Sequence, residues 1–268
     1  MTSVVRELVQ PILEIESLGV RYGGVVAVDS LNIVIRPGTL VGLIGPNGAG
    51  KTSCVDALSG LTRSTGSIRL NGSPIARLSP HRRTRHGLVR TFQSMELFED
   101  LSVFENVLVA AESSRTTKSV ARPRERAMAI LESVGLQDSA QRSPSTLSNG
   151  QRKLMGVARG LASQPQVMLL DEPASGLDVH ESRDFGRFLR ARVDAGLSAL
   201  LIEHDMGLVF DICDYIYVLE FGKLIAEGTP TEVRSNRKVI AAYLGEDNYF
   251  DSNKDAPSDG AGVETDRP

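Results

Sequence analysis

The stretch that decides the fold reads LVGLIGPNGAGKTSCVDALSGL and spans residues 40–61. Its first five residues, Leu40–Ile44, are continuously apolar, which is typical of a strand buried on both faces. The segment Gly45–Thr52 matches the spacing GxxxxGK[ST], and the residues after it predict a helix from about Gly50 to Leu61. A buried strand, a glycine-rich loop and a helix, in this order, are the context that a phosphate-binding loop requires.

The chemistry of this loop favours a nucleoside triphosphate as its ligand. Glycines let backbone N–H groups turn inward around phosphate oxygens, and the start of the helix adds a favourable dipole. We expect Lys51 to reach the β- and γ-phosphates and the hydroxyl of Thr52 to bind Mg²⁺. The residues of this loop predicted to bind ATP are Gly45, Pro46, Asn47, Gly48, Ala49, Gly50, Lys51, Thr52 and Ser53.

A second candidate site lies where a later apolar run ends in two adjacent acids. Val167–Leu170 predicts a buried strand, and Asp171 and Glu172 follow it directly. Asp171 can hold the shell of a Mg²⁺ ion, and Glu172 can polarise an attacking water. No NKxD-type guanine motif is visible in the sequence, which counts against a GTPase.

The pattern of apolar residues predicts an α/β fold. Residues alternate in character at 12–16 and 31–35, and Gly66–Gly72 predicts a short strand that closes an early β region. Helical periodicity then extends from Val103 to about Leu161. Strands are expected again at Val167–Leu170 and Ala199–Ile202. Strands that alternate with helices in this way indicate a mostly parallel sheet with both faces covered.

Leu147–Gln151, which reads LSNGQ and opens a predicted helix, resembles the LSGGQ signature of the ABC ATPase family. Asn149 departs from the usual glycine of that signature, whereas Ser148 and Gly150 are kept. The resemblance extends from about Ile12 to Glu246. Further positions match motifs of the family in the same order, and they are Tyr22, Gln93, Ser175–Asp178 and His204.

The resemblance implies a role for each of these residues. Tyr22 would stack on adenine, and Gln93 would act in catalysis and at the Mg²⁺ ion from the entry to a helical subdomain. His204 would contact the γ-phosphate and act with Glu172 in catalysis. The residues implied to complete an ATP site across a subunit interface are Ser148, Gly150, Gln151 and Asp178.

The resemblance also implies an architecture and an assembly. The fold would be a P-loop NTPase (RecA-like) core with an antiparallel β subdomain and a helical signature subdomain at about 94–157. Residues 12–245 would form one ABC ATPase domain, and 246–268 we expect to be a disordered acidic tail. In the family a P-loop of one subunit faces the signature of another, so the resemblance implies a homo- or heterodimer.

Two other classes of ABC protein fit the sequence less well than a transporter subunit. A DNA-repair ABC protein would need a long coiled-coil insert, and too few residues separate Gln93 from Leu147. A ribosome-associated factor would carry two ATPase domains in tandem, whereas this chain has a single P-loop. A soluble non-transport ABC ATPase therefore stays as the less favoured alternative.

Several segments resemble the ATPases of branched-chain amino-acid importers. They are GLVRTFQ at residues 87–93 with Leu97 and Phe98, LIEHDM at 201–206 and VIAAYLGE at 239–246. Lipopolysaccharide-export ATPases share the ending at 243–247, so an exporter of lipid or lipopolysaccharide is the alternative. The resemblance to the importers implies import of branched-chain or other hydrophobic amino acids.

A transporter ATPase implies partners in and near the membrane. These would be transmembrane permease subunits, a second ATPase subunit and, indirectly, a solute-binding protein. We expect the permease to contact the segment Ser94–Asn106, which is unusually apolar for a segment beside a surface cleft. Its apolar residues are Met95, Leu97, Phe98, Leu101 and Phe104.

Composition agrees with a chain that does not enter the membrane or bind nucleic acid. The 268 residues carry a formal net charge of −3, and no apolar run approaches the ~20 residues that span a bilayer. We therefore expect a cytoplasmic protein that is peripheral on the inner face of the cell membrane.

Cys54 and Cys213 match no metal spacing and predict two buried free thiols. A basic cluster predicts a charged surface helix rather than a nucleic-acid site, and it comprises Arg77, His81, Arg82, Arg83, Arg85, His86 and Arg90.

Overall fold

Two β-sheets and a helical region make up the computed structural model, which describes residues 10–92, 97–113 and 122–244. The strands are β1 (Leu13–Tyr22), β2 (Val25–Ile35), β3 (Leu40–Ile44), β4 (Thr65–Leu70), β5 (Ser73–Pro74), β6 (Leu88–Thr91), β7 (Val167–Asp171), β8 (Ser198–Ile202), β9 (Tyr215–Glu220) and β10 (Lys223–Gly228). The helices are α1 (Lys51–Ser59), α2 (Pro80–Arg85), α3 (Val103–Ser113), α4 (Pro123–Ser133), α5 (Asn149–Ala162), α6 (Val179–Asp194), α7 (Met206–Ile212), α8 (Pro230–Arg234) and α9 (Arg237–Leu244).

The larger sheet has the strand order β10-β9-β3-β8-β7-β6, and only β10 pairs antiparallel to its neighbour. Ile202 of β8 pairs with Leu43 of β3 on one side and with Asp171 of β7 on the other. The carboxyl ends of these three strands therefore lie level at one edge of the sheet. In parallel sheets ligands bind at that edge, so the loops after β3, β7 and β8 converge where a ligand would bind.

The smaller sheet is antiparallel, with the order β2-β1-β4-β5. Its buried face carries the alternating apolar residues of the sequence, among them Leu13 and Ile15 on β1 and Ile33 on β2. These side chains join one hydrophobic cluster with Leu43 of β3 and Val55 of α1. The antiparallel sheet thus covers the helix that follows the glycine-rich loop.

A separate hydrophobic cluster holds the helical region together. Val107 of α3, Leu131 of α4 and Met155 of α5 are fully buried in it. Helix α4 ends at Ser133, and Gly135 follows with a φ of 71°, a conformation that glycine adopts readily. The described part of the predicted helical region therefore contains three α-helices, and two short 3-10 helices, Gln137–Ser139 and Pro144–Thr146, lie between α4 and α5.

Helix α1 is shorter than the sequence predicted, because it begins at Lys51 and ends at Ser59 rather than spanning 50–61. Gly60 takes the left-handed conformation at a φ of 80°, and the N–H of Leu61 donates to the carbonyl oxygen of Asp56 at 2.8 Å. Helices commonly end in this way, with a glycine in the left-handed conformation after the last helical residue.

The prediction that the basic cluster forms one charged surface helix is wrong for two of its residues. Arg83 is buried, and its guanidinium donates to the carbonyl oxygens of Ala57 at 2.5 Å and Leu58 at 2.7 Å, at the end of α1. Burial lowers the pKa of this guanidinium. Arg90 lies on β6 and its side chain forms two ion pairs with acids. The sequence alone does not show which arginine side chains are buried, because the aliphatic part of arginine can pack against apolar surface or stay exposed.

Both cysteines are free and buried in the structure, as the sequence predicted. Within residues 10–92, 97–113 and 122–244, no helix has the length and apolar character needed to cross a membrane.

Candidate active site

The glycine-rich loop Gly45–Gly50 leaves β3 and passes close to its neighbours. A Cβ on Gly45, whose φ is 151°, would lie 2.1 Å from the carbonyl oxygen of Leu219. A Cβ on Gly50, whose φ is 102°, would lie 2.3 Å from the carbonyl oxygen of Ala27. Only glycine fits at these two positions, and the loop backbone is therefore free to face a ligand.

Lys51, the first residue of α1, turns back into this loop. Its Nζ donates to the carbonyl oxygens of Gly45 at 2.6 Å and Pro46 at 3.0 Å, and the side chain is buried. Burial lowers the pKa of this ammonium, and the nearby carboxylates of Glu172 and Asp171 oppose that change. The lysine is therefore held at the centre of the loop by backbone carbonyls, next to two acids.

Asp171 ends β7 and is almost completely buried. One of its oxygens, Oδ2, lies 2.7 Å from Nη2 of Arg90. The same guanidinium uses Nη1 to bind Oδ1 of Asp56 on α1 at 2.5 Å, and it stacks 4.9 Å from the ring centre of Phe92. The sequence prediction missed this role of Arg90, because the partner acids are 34 and 81 residues away in the chain.

Glu172 adopts an unusual backbone conformation, with a φ of 49°. Non-glycine residues seldom take this left-handed conformation, and such strain concentrates at functional sites. Its N–H donates to the carbonyl oxygen of Ile202 at 2.9 Å, which ties it to the end of β8. Its Oε1 lies 2.8 Å from Nε2 of His204. Because an ionised carboxylate can only accept, this contact requires the proton on Nε2.

One cavity of about 390 Å³ brings most of these residues together. Asn47–Ser53 of the loop and helix line it, and so do Glu172 and His204. Four further apolar residues that the sequence prediction missed also line it, and they are Val25, Val26, Ala27 and Phe221. Phe221 is 85% exposed and lies in the turn between β9 and β10. The sequence signal that could have indicated this turn is the Phe-Gly pair between the two strands.

Apart from the predicted signature residues and Asp178, four predicted site residues among those described do not line this cavity, and they are Tyr22, Gly45, Pro46 and Asp171. Tyr22 stands at the end of β1, paired with Val25 and 47% exposed, but it does not line this cavity. Gln93 lies outside the described residues, so the structure neither joins it to the site nor separates it from the site.

The signature segment forms a well-ordered helix start. The Oγ of Ser148 accepts from the N–H of Gln151 at 3.2 Å, and Oε1 of Gln151 accepts from the N–H of Ser148 at 3.0 Å. This reciprocal pair is a capping box. Asn149 donates from Nδ2 to the carbonyl oxygen of Gly176 at 3.1 Å, and a Cβ on Gly150 would lie 2.8 Å from Oε1 of Glu181.

Asp178 opens α6 in a similar manner. Its Oδ1 accepts from the N–H groups of Glu181 at 2.9 Å and His180 at 2.8 Å, and these bonds lower the pKa of its carboxyl. Ser148, Gly150 and Gln151 line a second cavity of about 360 Å³, with Glu181 among its other residues. The structure thus places the predicted signature residues apart from the cavity that holds Lys51, Glu172 and His204.

Comparison with protein families gives two matches. The family described as "ABC transporter" matches residues 28–175, which contain the glycine-rich loop, the signature and both acids. A second family, described as "Branched-chain amino acid ATP-binding cassette transporter", matches residues 223–248.

Curated proteins similar to this chain include two from amino-acid transport and one from lipopolysaccharide export. The high-affinity branched-chain amino acid transport ATP-binding protein BraF of Pseudomonas aeruginosa is 40% identical, over 88% of this chain and 99% of its own length. The corresponding protein LivG of Escherichia coli is 38% identical over the same shares. The lipopolysaccharide export system ATP-binding protein LptB of Escherichia coli is 34% identical, over 88% and 98%.

Solved structures similar to this fold include MJ1267, an ATP-binding cassette of an ABC transporter. Its ADP structure superposes with a TM-score of 0.79 at 28% identity, over 88% of this chain and all of its own. The crystal structure of a nucleotide-free ATP-binding cassette from an ABC transporter gives the same values. The structure of cbiO1 from Clostridium perfringens, part of the ABC transporter complex cbiONQ, gives a TM-score of 0.75 at 27% identity, over 86% and 93%.

Proposed function

Because this chain belongs to the ABC transporter family and is an ATP-hydrolysing cassette, we propose that it drives the import of branched-chain or other hydrophobic amino acids. The observation that carries this proposal is the match of residues 223–248 to the branched-chain amino acid cassette family. The higher identity to BraF and LivG than to LptB supports import over lipopolysaccharide export.

The residues around Lys51 bind and orient the triphosphate of ATP. Asn47–Ser53 line the cavity in which phosphate oxygens would lie, and the backbone N–H groups at the start of a helix favour such anions. Lys51 supplies the cation that bridges the β- and γ-phosphates. Tyr22, exposed at the end of β1, would stack on the base.

The donor set at the ends of β7 and α1 fits Mg²⁺. The described residues contain no cluster of three or more histidines, cysteines and acids that could hold a metal alone. Mg²⁺ instead prefers one or two oxygen ligands from protein together with phosphates and water. Thr52 and Asp171 would hold the ion, with Gln93 as a third proposed ligand. When bound, the ion neutralises charge on the phosphates.

Glu172 and His204 handle the attacking water and the γ-phosphate. The carboxylate of Glu172 faces the cavity and can orient and polarise a water, which adds roughly 10²- to 10⁴-fold to a rate. His204 donates from Nε2 to Glu172 in this structure, so the same N–H can donate to a γ-phosphate oxygen when ATP is present. The remaining catalytic residue in the proposal is Gln93.

The active unit is a dimer with ATP between two subunits. Ser148, Gly150 and Gln151 lie in a cavity separate from that of Lys51 in the same chain. In the proposed dimer they would contact the γ-phosphate of ATP bound to the second ATPase subunit. Asp178 opens α6 beside them and would cross the same interface.

The permease subunits would dock in a cleft between β6 and the helical region. This cleft of about 460 Å³ is lined by Phe92, Leu97, Phe98 and Val109, with Arg159 beside the ring of Phe98. Phe104, which the sequence placed with the coupling residues, is instead buried in the core of the helical region. Met95 lies outside the described residues. Docking here would hold the chain on the inner face of the membrane, with a solute-binding protein as an indirect partner and no nucleic acid involved.

Reconstitution tests the transport proposal. The chain is placed in proteoliposomes with its genetically adjacent permease and solute-binding subunits, and uptake of labelled leucine, isoleucine and valine is measured. We expect ATP-dependent uptake that a Lys51→Ala variant abolishes. Release of lipopolysaccharide without amino-acid uptake would support the exporter alternative instead.

A further inference from the structure

Glu203 is a buried acid that the roles above do not use. It follows β8 directly and precedes His204, and it is only 4% exposed. In proteins, acidic side chains are rarely buried this deeply without a partner. Its carboxylate accepts two backbone hydrogen bonds, from the N–H of Ala174 to Oε1 at 2.6 Å and from the N–H of His204 to Oε2 at 3.2 Å.

These two donors belong to the two loops that carry the catalytic groups. Ala174 lies two residues after Glu172, in the loop that leaves β7, while His204 lies in the loop that leaves β8. The carboxylate of Glu203 therefore connects the loop after β7 with the loop after β8. The N–H of Glu172, which donates to the carbonyl oxygen of Ile202, adds a second connection between them.

The left-handed backbone of Glu172 requires such connections. A non-glycine residue at a φ of 49° is strained, and the strain persists only where the surroundings over-determine the conformation. The contacts that constrain this segment include the bond from Glu172 to Ile202 and the bond from Ala174 to Glu203. The carbonyl oxygen of Glu172 also accepts from the N–H of Ser175 at 3.2 Å and from Nζ of Lys153 at 3.4 Å. The contact at Ala174 uses a side chain that also binds the backbone of the histidine loop.

We infer that Glu203 is a positioning residue, which fixes the carboxylate of Glu172 relative to the imidazole of His204 by holding the two loops together. This inference rests on the catalytic roles proposed for those two residues. An ionised carboxylate can accept both bonds, because neither of its oxygens carries a proton. Burial raises the pKa of Glu203, and the two N–H bonds oppose that shift.

The test compares Glu203→Gln with Glu203→Asp. Gln keeps the size of the side chain but turns an NH₂ group toward one of the two N–H donors, whereas Asp keeps both acceptor oxygens. A displacement of about 1 Å costs roughly 10²-fold in rate. We expect Glu203→Gln to lower kcat by about that factor, to leave the Kd for ATP within about twofold, and to be partly rescued by Asp.

Glu227→Gln serves as the matched control, because Glu227 is an exposed glutamate on β10. Thermal unfolding and ATP binding are measured for every variant. A Glu203→Gln subunit with wild-type kcat would overturn the inference, and so would a parallel loss of kcat, ATP affinity and thermal stability in both Glu203 variants. If Glu172→Gln itself hydrolyses ATP at the wild-type rate, the proposed role of Glu172 fails, and this result is distinct from either outcome at Glu203.

Discussion

Nη2 of Arg90 lies 2.7 Å from Oδ2 of Asp171, and Nη1 of the same guanidinium lies 2.5 Å from Oδ1 of Asp56. One arginine on β6 therefore bridges the acid that ends β7 and the helix that follows the glycine-rich loop. The side chains of Arg90 and Asp171 are only 8% and 6% exposed. Through Asp56 and Asp171, this bridge fixes the helix after the glycine-rich loop relative to the strand that carries the acid pair.

Removal of Arg90 is expected to destabilise the protein. Arg90→Met leaves the carboxylate of Asp171 buried without its partner, and breaking a buried ion pair in this way costs about 3 to 5 kcal/mol. Urea denaturation measures the free energy of unfolding. Arg187→Met is the matched control, because Arg187 pairs with Asp184 at the surface, where such pairs contribute about 0 to 1 kcal/mol. Equal stability of the two variants would contradict the structural role of the bridge.

The two thiols are expected to resist modification until the protein unfolds. Burial raises the pKa of Cys54 from 9.0 to about 12, and burial with the charge of Asp214 raises the pKa of Cys213 as well. The thiolate is the reactive form, so the native thiols would stay largely protonated at pH 9. A colorimetric thiol reagent should label both cysteines in urea at this pH. Rapid labelling of the native protein would show that a cysteine is not buried as described.

Leu97→Ser and Phe98→Ser are expected to uncouple ATP hydrolysis from transport. Both side chains line the cleft proposed for the permease, and neither lines the cavity around Lys51. ATPase activity of the isolated subunit should stay within about twofold of wild type, whereas transport by the assembled complex should fall. Leu61→Ser is the control, since Leu61 is 52% exposed and outside the cleft. Loss of activity in the isolated subunit, without loss of assembly, would refute a coupling role.

Truncation after Asn248 is expected to leave ATP turnover unchanged. The residues removed are rich in Asp and Glu and lie outside the described part of the chain. Helix α9, which precedes the removed residues, contributes to the hydrophobic core, because its Val239 is 1% exposed and packs in the core of the larger sheet. Val239→Ala should therefore lower the free energy of unfolding by about 1 to 2 kcal/mol. A large drop in turnover on truncation would mean that the tail contacts the catalytic domain.

The glycine-rich loop, the acid pair and the alternation of strands and helices were predictable because each is a local pattern. Val167–Leu170 and Leu40–Ile44 are apolar runs that are buried in the structure, and the motifs follow them directly. The acid partners of Arg90 and the bond from Ala174 to Glu203 were not predictable, because these contacts join residues far apart in the sequence. The exposed ring of Phe221 was missed for another reason: a lone aromatic in a turn has no periodicity.

The Glu172→Gln variant tests the central claim, that this chain hydrolyses ATP at composite sites between two subunits. Gln keeps the size and hydrogen bonding of Glu172 but removes the basic oxygen, while the loop, Lys51 and the metal still bind ATP. We expect hydrolysis to fall by roughly 10²- to 10⁴-fold, and the variant to elute as a dimer with ATP and Mg²⁺. Lys51→Ala, which removes the phosphate-binding ammonium, should stay monomeric. A Glu172→Gln subunit that is slow but monomeric with ATP would contradict the composite site, and one that hydrolyses ATP at the wild-type rate would contradict the role of Glu172.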